Sequence, residues 1–134
     1  MTSASRATYL DSSAIVKLVV AEPESEALRR YLRRRRTLVS SALARTEVGR
    51  ALLPFGEPAR RRGAQALRIV ELIRISDRIL VQASTLRPPE IRTLDAVHLA
   101  TAQELGTDLA AIVTYGERMT TAAEEIGYAV RAPT

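Results

Sequence analysis

Apolar and polar positions are grouped along the chain in segments that predict strands alternating with helices. Short apolar runs are typical of buried strands, and apolar residues recurring every three or four positions indicate helices. The predicted strands are residues 8–10, 37–40, 71–75, 110–114 and 128–131. The predicted helices are residues 12–20, 24–34, 42–53, 59–70, 78–86, 94–105 and 117–126. This alternation favours parallel pairing with right-handed crossovers. We therefore expect an α/β fold, an α/β/α sandwich with a central parallel sheet of four to five strands and flavodoxin-like topology, in a single domain of residues 1–134.

Local signals mark several ends of the predicted helices. Ser41, Asp77 and Thr93 precede apolar-periodic segments and are expected to cap the helices that follow them. Gly106 and Gly127 come directly after such segments, where glycine commonly ends a helix.

Three acidic residues occupy positions that a stable fold alone does not require. Asp11 follows the first predicted strand, and Glu47 lies at the edge of the apolar stripe of the helix at 42–53. Asp95 opens the helix at 94–105, which is apolar almost all round and so should be central and buried. An unpaired buried carboxylate is costly. Three converging carboxylates would be satisfied together by one divalent cation.

The predicted topology brings these acids to the same edge of the sheet. In open parallel sheets, sites form beyond the carboxyl ends of the strands where the strand order reverses. Asp11 follows one strand there, and Glu117 follows the strand at 110–114. The helices that carry Glu47 and Asp95 come after crossovers and can lean over the same rim. Mg²⁺ and Mn²⁺ prefer such oxygen ligands, and they activate water for attack on a phosphodiester.

Each acid also has a purely structural interpretation. Asp11 could serve only as the N-cap of the helix at 12–20. Glu47 could pair with Arg45 or Arg50 on a helix surface, and Asp95 could complement the helix dipole. His98, the single histidine, lies one turn after Asp95 and is interpreted as a core residue or a residue supporting the site.

Composition narrows the classes of function. The formal net charge is +5, with 20 Lys and Arg against 15 Asp and Glu, which suits a polyanionic partner around an acidic pocket. The four arginines at 33–36 are either a solvated helix end or part of an RNA-binding track. Cys and Trp are absent, which argues against disulfides and against a stacking-rich surface. No apolar run reaches membrane-spanning length, so we expect a soluble, cytoplasmic protein that does not bind membranes.

Several segments resemble those of a known family. The sequence YLDSSAIVKL from Tyr9 is similar to the opening of the PIN-domain ribonucleases, specifically the VapC-type toxins of bacterial toxin–antitoxin pairs. TEV around Glu47, RTLDAVHLATA around Asp95 and VTYGERM around Gly116 resemble the later blocks of that family, in order and with fitting gaps. The closing strand also fits, so the resemblance extends from Tyr9 to Pro133.

The resemblance implies a PIN-like fold and a metal-dependent endoribonuclease that cleaves structured RNA. By resemblance, Asp11 and Asp95 would be the principal ligands of Mg²⁺ or Mn²⁺, and Glu47 would bind a second metal or orient the attacking water. Ser13 and Thr114 would support the site through their hydroxyl groups. The family also implies a homodimer, held inactive by a VapB-type antitoxin that inserts a segment into the acidic groove.

One position departs from the family pattern. The family usually has an acid where this chain has Gly116, and Glu117 follows one residue later. Two interpretations therefore stay open: an active nuclease, with one metal or with reduced activity, and a degenerate domain that binds antitoxin or RNA without cutting. A dehalogenase-like phosphatase is disfavoured because Ser13 stands where that class needs a second Asp, and a phospho-receiver because no Lys occurs late in the chain.

Overall fold

A computed structural model describes residues 6–134. Strands and helices alternate through most of this range, as the hydrophobic pattern predicts. In chain order the elements are β1 (Ala7–Leu10), α1 (Ser12–Lys17), α2 (Ser25–Arg33), β2 (Thr37–Ser41), α3 (Ala44–Leu52), α4 (Glu57–Arg68), β3 (Glu71–Ile73), α5 (Asp77–Ser84), α6 (Thr93–Gln103), β4 (Leu109–Val113), α7 (Glu117–Ile126) and β5 (Val130–Arg131). Short 3-10 turns at Leu53–Phe55 and Gly106–Asp108 complete the chain trace.

The strands form one five-stranded sheet in the order β3-β2-β1-β4-β5, and every pairing is parallel. Tyr9 in the central strand β1 lies opposite Val39 of β2 and Ile112 of β4. The expected α/β/α sandwich around a parallel sheet of four to five strands is confirmed. The strand order reverses between β1 and β4. Strands β2 and β3 are added on one side of β1, and β4 and β5 on the other side.

Both faces of the sheet are covered, which is why the strands are apolar rather than alternating. Leu10 and Val113 point into one core cluster with α1, α2 and α3. Tyr9 and Ile112 point into a second cluster with α6 and α7. Within residues 6–134, the helices are too short or too polar for any of them to traverse a bilayer.

Helix α6 has the burial that its apolar composition predicts. Seven consecutive residues from Ala96 to Ala102 are buried, and they pack against the sheet on one side and α5 on the other. This central position carries Asp95, in the first turn, to the carboxyl edge of the sheet.

The three predicted N-caps are displaced from the observed ones by one or two positions, whereas Gly127 ends α7 as predicted. Ser41 ends β2, and its hydroxyl accepts from the Leu43 amide at 3.0 Å within the turn, before α3 begins. Ser76, not Asp77, caps α5, because Ser76 has the extended backbone that an N-cap needs and accepts from Ile79 N at 3.2 Å. Thr93 lies inside α6, with Arg92 at the N-cap. Helix α1 is also shorter than predicted, since residues 18–20 form a turn.

Candidate functional site

The candidate site lies at the carboxyl edge of the sheet, between β1 and β4. Asp11 follows the last residue of β1, and its amide donates to the carbonyl of Val113, the last residue of β4, at 3.2 Å. Thr114 is the next residue along from Val113. The reversal of strand order therefore places Asp11 and Thr114 side by side, although they are far apart in sequence.

Asp11 is 8 % exposed and is held by three donors, none of them cationic. Its Oδ1 accepts from the Ser13 hydroxyl at 2.6 Å and from the Ala14 amide at 3.1 Å. Its Oδ2 accepts from the buried Thr114 hydroxyl at 2.5 Å. The carboxylate is thus fixed in place by neutral groups, and its negative charge is not cancelled by an ion pair.

Glu47 is held by a second set of contacts that begins in the core. Its Oε1 lies 2.6 Å from His98 Nε2 and 2.6 Å from the Ser12 hydroxyl. Because an ionised carboxylate only accepts, Nε2 carries the proton in this bond. Nδ1 of His98 lies 2.7 Å from the hydroxyl of Tyr9, which keeps its proton because burial raises the Tyr9 pKa. These bonds orient the Glu47 carboxylate from the core outwards.

The electrostatics differ between Glu47 and Asp95. Burial raises the pKa of Glu47, but the bonds from His98 and Ser12 more than offset this, and its pKa lies below the ordinary value. Burial also raises the pKa of Asp95, and there the nearby Asp11 and Glu47 charges add to the effect against the opposing influence of His98 and Arg92. Repulsion from both other acids shows that the three carboxylates share one electrostatic environment.

All three predicted acids line a single open cleft of ≈ 410 Å³. Glu117 and Ser13 lie on the same cleft, as predicted, while Thr114 is buried beneath Asp11. The lining residues are Asp11, Ser12, Ser13, Glu47, Asp95, His98, Gly116, Glu117, Arg118 and Met119.

The structural interpretations of the acids are met in part. Asp11 does cap α1 through its bond to Ala14 N, and Asp95 does lie in the first turn of α6, yet both also face the cleft. Glu47 pairs with His98 and not with Arg45 or Arg50. His98 is 3 % exposed and supports Glu47 directly, which agrees with its interpretation as a core or supporting residue.

The carboxylate oxygens on the cleft suit a hard divalent cation. Within residues 6–134, no three His, Asp or Glu side chains are grouped closely enough to ligate one ion. Magnesium is usually bound through one or two carboxylates together with waters and substrate phosphates rather than by an all-protein cage. Asp95 accepts no hydrogen bond from within the described chain, and Asp11 lies on the same cleft. These two residues fit an ion of that kind.

Some contacts of the site were not predicted. Ser12 binds Glu47, Tyr9 binds His98, and Arg118 lies on the cleft. Ser12 could have been inferred from the sequence because it directly follows Asp11. The contact of Tyr9 could not, because its position in a buried strand predicts only packing.

Gly116 does not need to be glycine for backbone reasons. Its φ of −85° and ψ of 125° are open to any residue. A Cβ there would lie 3.6 Å from Thr114 Oγ1 and 3.7 Å from Met119 Cβ, which is ordinary contact. A larger side chain, including an acidic one, would therefore meet no steric barrier at the Cβ position.

Comparison with known proteins identifies a family and similar ribonucleases. Residues 8–125 match the PIN domain family. The chain is 61% identical over 127 residues to ribonuclease VapC46 of Mycobacterium tuberculosis, covering 95% of this chain and 98% of the relative. It is 41% identical over 132 residues to ribonuclease VapC35 of the same species, covering 93% and 96%.

Solved structures agree on the fold. The crystal structure of Mycobacterium tuberculosis VapC20, a sarcin-ricin loop cleaving toxin, superposes with a TM-score of 0.76 at 17% identity, covering 94% of this chain and 99% of that one. A toxin–antitoxin complex from Klebsiella pneumoniae gives 0.73 at 22% identity, covering 95% and 98%. The matched family and the identity to two ribonucleases across nearly the whole chain lead to one conclusion: this chain belongs to the PIN-domain family, among the VapC ribonuclease toxins.

Proposed function

We propose that this chain is a metal-dependent endoribonuclease, the toxin of a type II toxin–antitoxin pair, and that Asp11, Glu47 and Asp95 are its catalytic acids. The observation that carries the proposal is that these carboxylates line one cleft at the carboxyl edge of the sheet. Asp11 and Asp95 would hold Mg²⁺ or Mn²⁺ as principal ligands. When bound, such an ion lowers the pKa of water and neutralises charge on a phosphodiester.

The other residues of the site hold its carboxylates in place and supply a group that can accept a proton. Ser13 and Thr114 fix both oxygens of Asp11. Glu47 stays ionised at neutral pH because His98 and Ser12 hold its pKa below the ordinary value, so it is able to accept a proton from water or bind a second metal. Glu117 adds a further carboxylate at the open side of the cleft, beside Gly116.

Charge and composition support structured RNA as the substrate. The net charge of +5 favours a polyanion, and the scarcity of aromatic residues, 4%, disfavours recognition by stacking on single strands. The partners we propose are a VapB-type antitoxin and a second copy of this chain in a homodimer, with action in the cytoplasm. The toxin–antitoxin complex among the structural neighbours supports the first of these partners.

The test is cleavage of total bacterial RNA with and without Mg²⁺ or Mn²⁺. Asp11→Asn and Asp95→Asn should each abolish cleavage while remaining folded, which a cooperative melting curve checks. Asp108→Asn is the matched control, because Asp108 precedes β4 and so lies at the opposite edge of the sheet. Cleavage by either site variant in metal-free buffer would refute the proposal. Expression with and without the neighbouring small open reading frame tests the toxin role: growth arrest relieved by that neighbour supports it.

A second candidate, a binding module that captures antitoxin or RNA without cutting, is favoured by one observation. Gly116 replaces the acid that the family usually carries. Calorimetric titration with Mn²⁺ separates the candidates, because no binding at millimolar metal would favour the module.

A further inference from the structure

A second depression, of ≈ 420 Å³, adjoins the carboxylate cleft. Asp95, Glu117 and Arg118 line both, so the two form one continuous trough. Its far part is walled by the aliphatic side chains of Pro88, Ile91 and Ala122, and Glu90, Arg92 and Thr121 are its polar lining; none of its described lining residues is aromatic. We call this far part the side trough.

Two arginines stand over the side trough at the starts of two helices. Arg92 is the N-cap of α6 and Arg118 lies in the first turn of α7. A cation at a helix N-terminus opposes the helix dipole, so helix stability does not explain either residue. Both are exposed, and within residues 6–134 neither guanidinium forms an ion pair or donates a hydrogen bond. Apart from the influence of Arg92 on the pKa of Asp95, their charge is therefore available to a ligand.

The carboxylate cleft by itself repels a polyanion. Asp11, Glu47, Asp95 and Glu117 bring four carboxyl groups to its lining, against one guanidinium, that of Arg118. An RNA strand entering this cleft needs cations next to the acids, and the side trough supplies Arg92 and Arg118 there, with Glu90 as an opposing charge on its lining.

We propose that the side trough seats the RNA nucleotides next to the scissile bond, with Arg118 and Arg92 binding their backbone phosphates. The inference rests on the proposed ribonuclease function. Arg118 holds the phosphate nearer the carboxylates, since it lines both depressions, and Arg92 holds one farther out. Ile91 and Pro88 contact the ribose or base face without stacking, so the site positions the strand without reading its sequence.

The experiment measures both cleavage and binding. For cleavage of total bacterial RNA, Arg118→Ala should raise KM about tenfold, equivalent to about 1.4 kcal/mol, with little change in kcat. For binding, a fluorescein-labelled RNA hairpin is titrated by anisotropy with Asp11→Asn protein, so that the probe is not consumed. Arg118→Ala should lower the slope of log affinity against log salt by roughly 0.7–1, and the double variant with Arg92→Ala by about twice that. Arg118→Lys should recover most of the salt slope because it keeps the charge.

Arg68→Ala is the matched control. Arg68 is exposed and ends α4 just before β3, which places it at the edge of the sheet opposite the cleft. Melting curves of all variants confirm folding. If Arg118→Ala and Arg92→Ala match Arg68→Ala in KM and salt slope, or if kcat falls with KM unchanged, the inference is wrong. Absence of cleavage by the wild type would instead refute the ribonuclease proposal, and the anisotropy arm would still decide whether the arginines bind RNA.

Discussion

Replacement of Thr114 by Val tests whether the hydroxyl group of this residue holds the Asp11 carboxylate. Thr114 is fully buried, donates to Asp11 Oδ2 at 2.5 Å and accepts from the Gly116 amide at 3.1 Å. Valine has nearly the same shape, so the change removes both bonds without opening a cavity.

The expected cost follows from the group left unpaired. A buried acceptor without its donor costs about 1–3 kcal/mol, and more when it is charged. Asp11 is 8 % exposed, so water replaces the lost donor poorly. With the amide of Gly116 also released, we expect Thr114→Val to lower the free energy of unfolding by about 2–4 kcal/mol. At an unfolding entropy of ~2.1 cal/mol/K per residue, this corresponds to a drop in Tm of roughly 7–14 °C.

Urea denaturation in chelating buffer measures this cost, with Thr114→Ser as the matched control. Serine keeps the hydroxyl and loses one methyl group, so it should cost only about 1 kcal/mol. Equal stability of the Val and Ser variants would refute the reasoning. A double-mutant cycle adds a second check, because in an Asp11→Ala background the cost of Thr114→Val should fall to the part that belongs to Gly116.

Three further changes test the electrostatics, the missing acid and a cap. The pKa of Asp95 is raised above 3.8, so the folded state binds this proton more tightly than the unfolded chain, and the resulting stabilisation is lost as pH rises through the folded pKa. Asp95→Asn in metal-free buffer should therefore be more stable than the wild type at pH 7, by up to about 1 kcal/mol; in urea titrations this gain should vanish below pH 3.8, and a loss of stability at neutral pH would contradict it. Gly116→Asp should tighten Mn²⁺ binding in calorimetry and change stability by only a few tenths of a kcal/mol, since Asp caps α7 slightly better than Gly; unchanged metal affinity would show that a fourth acid is dispensable. Ser76→Ala should lower stability by about 1 kcal/mol through loss of the α5 cap, with unchanged RNA cleavage; an unchanged melting temperature would show that the cap bond contributes nothing.

The sequence predicted the element order well because burial on both faces of a parallel sheet leaves a clear signal. The strand at Leu109–Val113 and the helix at Thr93–Gln103 are apolar through most of their length, and both were predicted to within two residues. The caps were predicted less well. Ser41 and Ser76 are chemically equivalent, and only the backbone conformation next to them decides which one begins a helix.

The positions of the three acids could be predicted, but their hydrogen-bond partners could not. Asp11 comes directly after a strand, and in a parallel sheet all strands end at the same edge. Chain order alone therefore predicted the edge at which Asp11 lies. The bond between Glu47 and His98 depends on how α3 and α6 pack across the sheet end. That packing brings together residues separated by 51 positions, a relation that local periodicity does not contain.

The partners of the acids explain how this edge of the sheet stays negatively charged in a protein rich in arginine. Hydroxyls, a backbone amide and an imidazole hold Asp11 and Glu47, and no arginine forms an ion pair with either in the described chain. The hydroxyl and amide donors fix the geometry of Asp11 without cancelling its charge, whereas an Arg partner would fix it and neutralise it. Burial, together with the repulsion that remains, raises the pKa of Asp95 and weakens the fold locally. Apolar burial on both faces of the sheet offsets that cost, and the uncancelled charge is what a cation at this edge of the sheet would need.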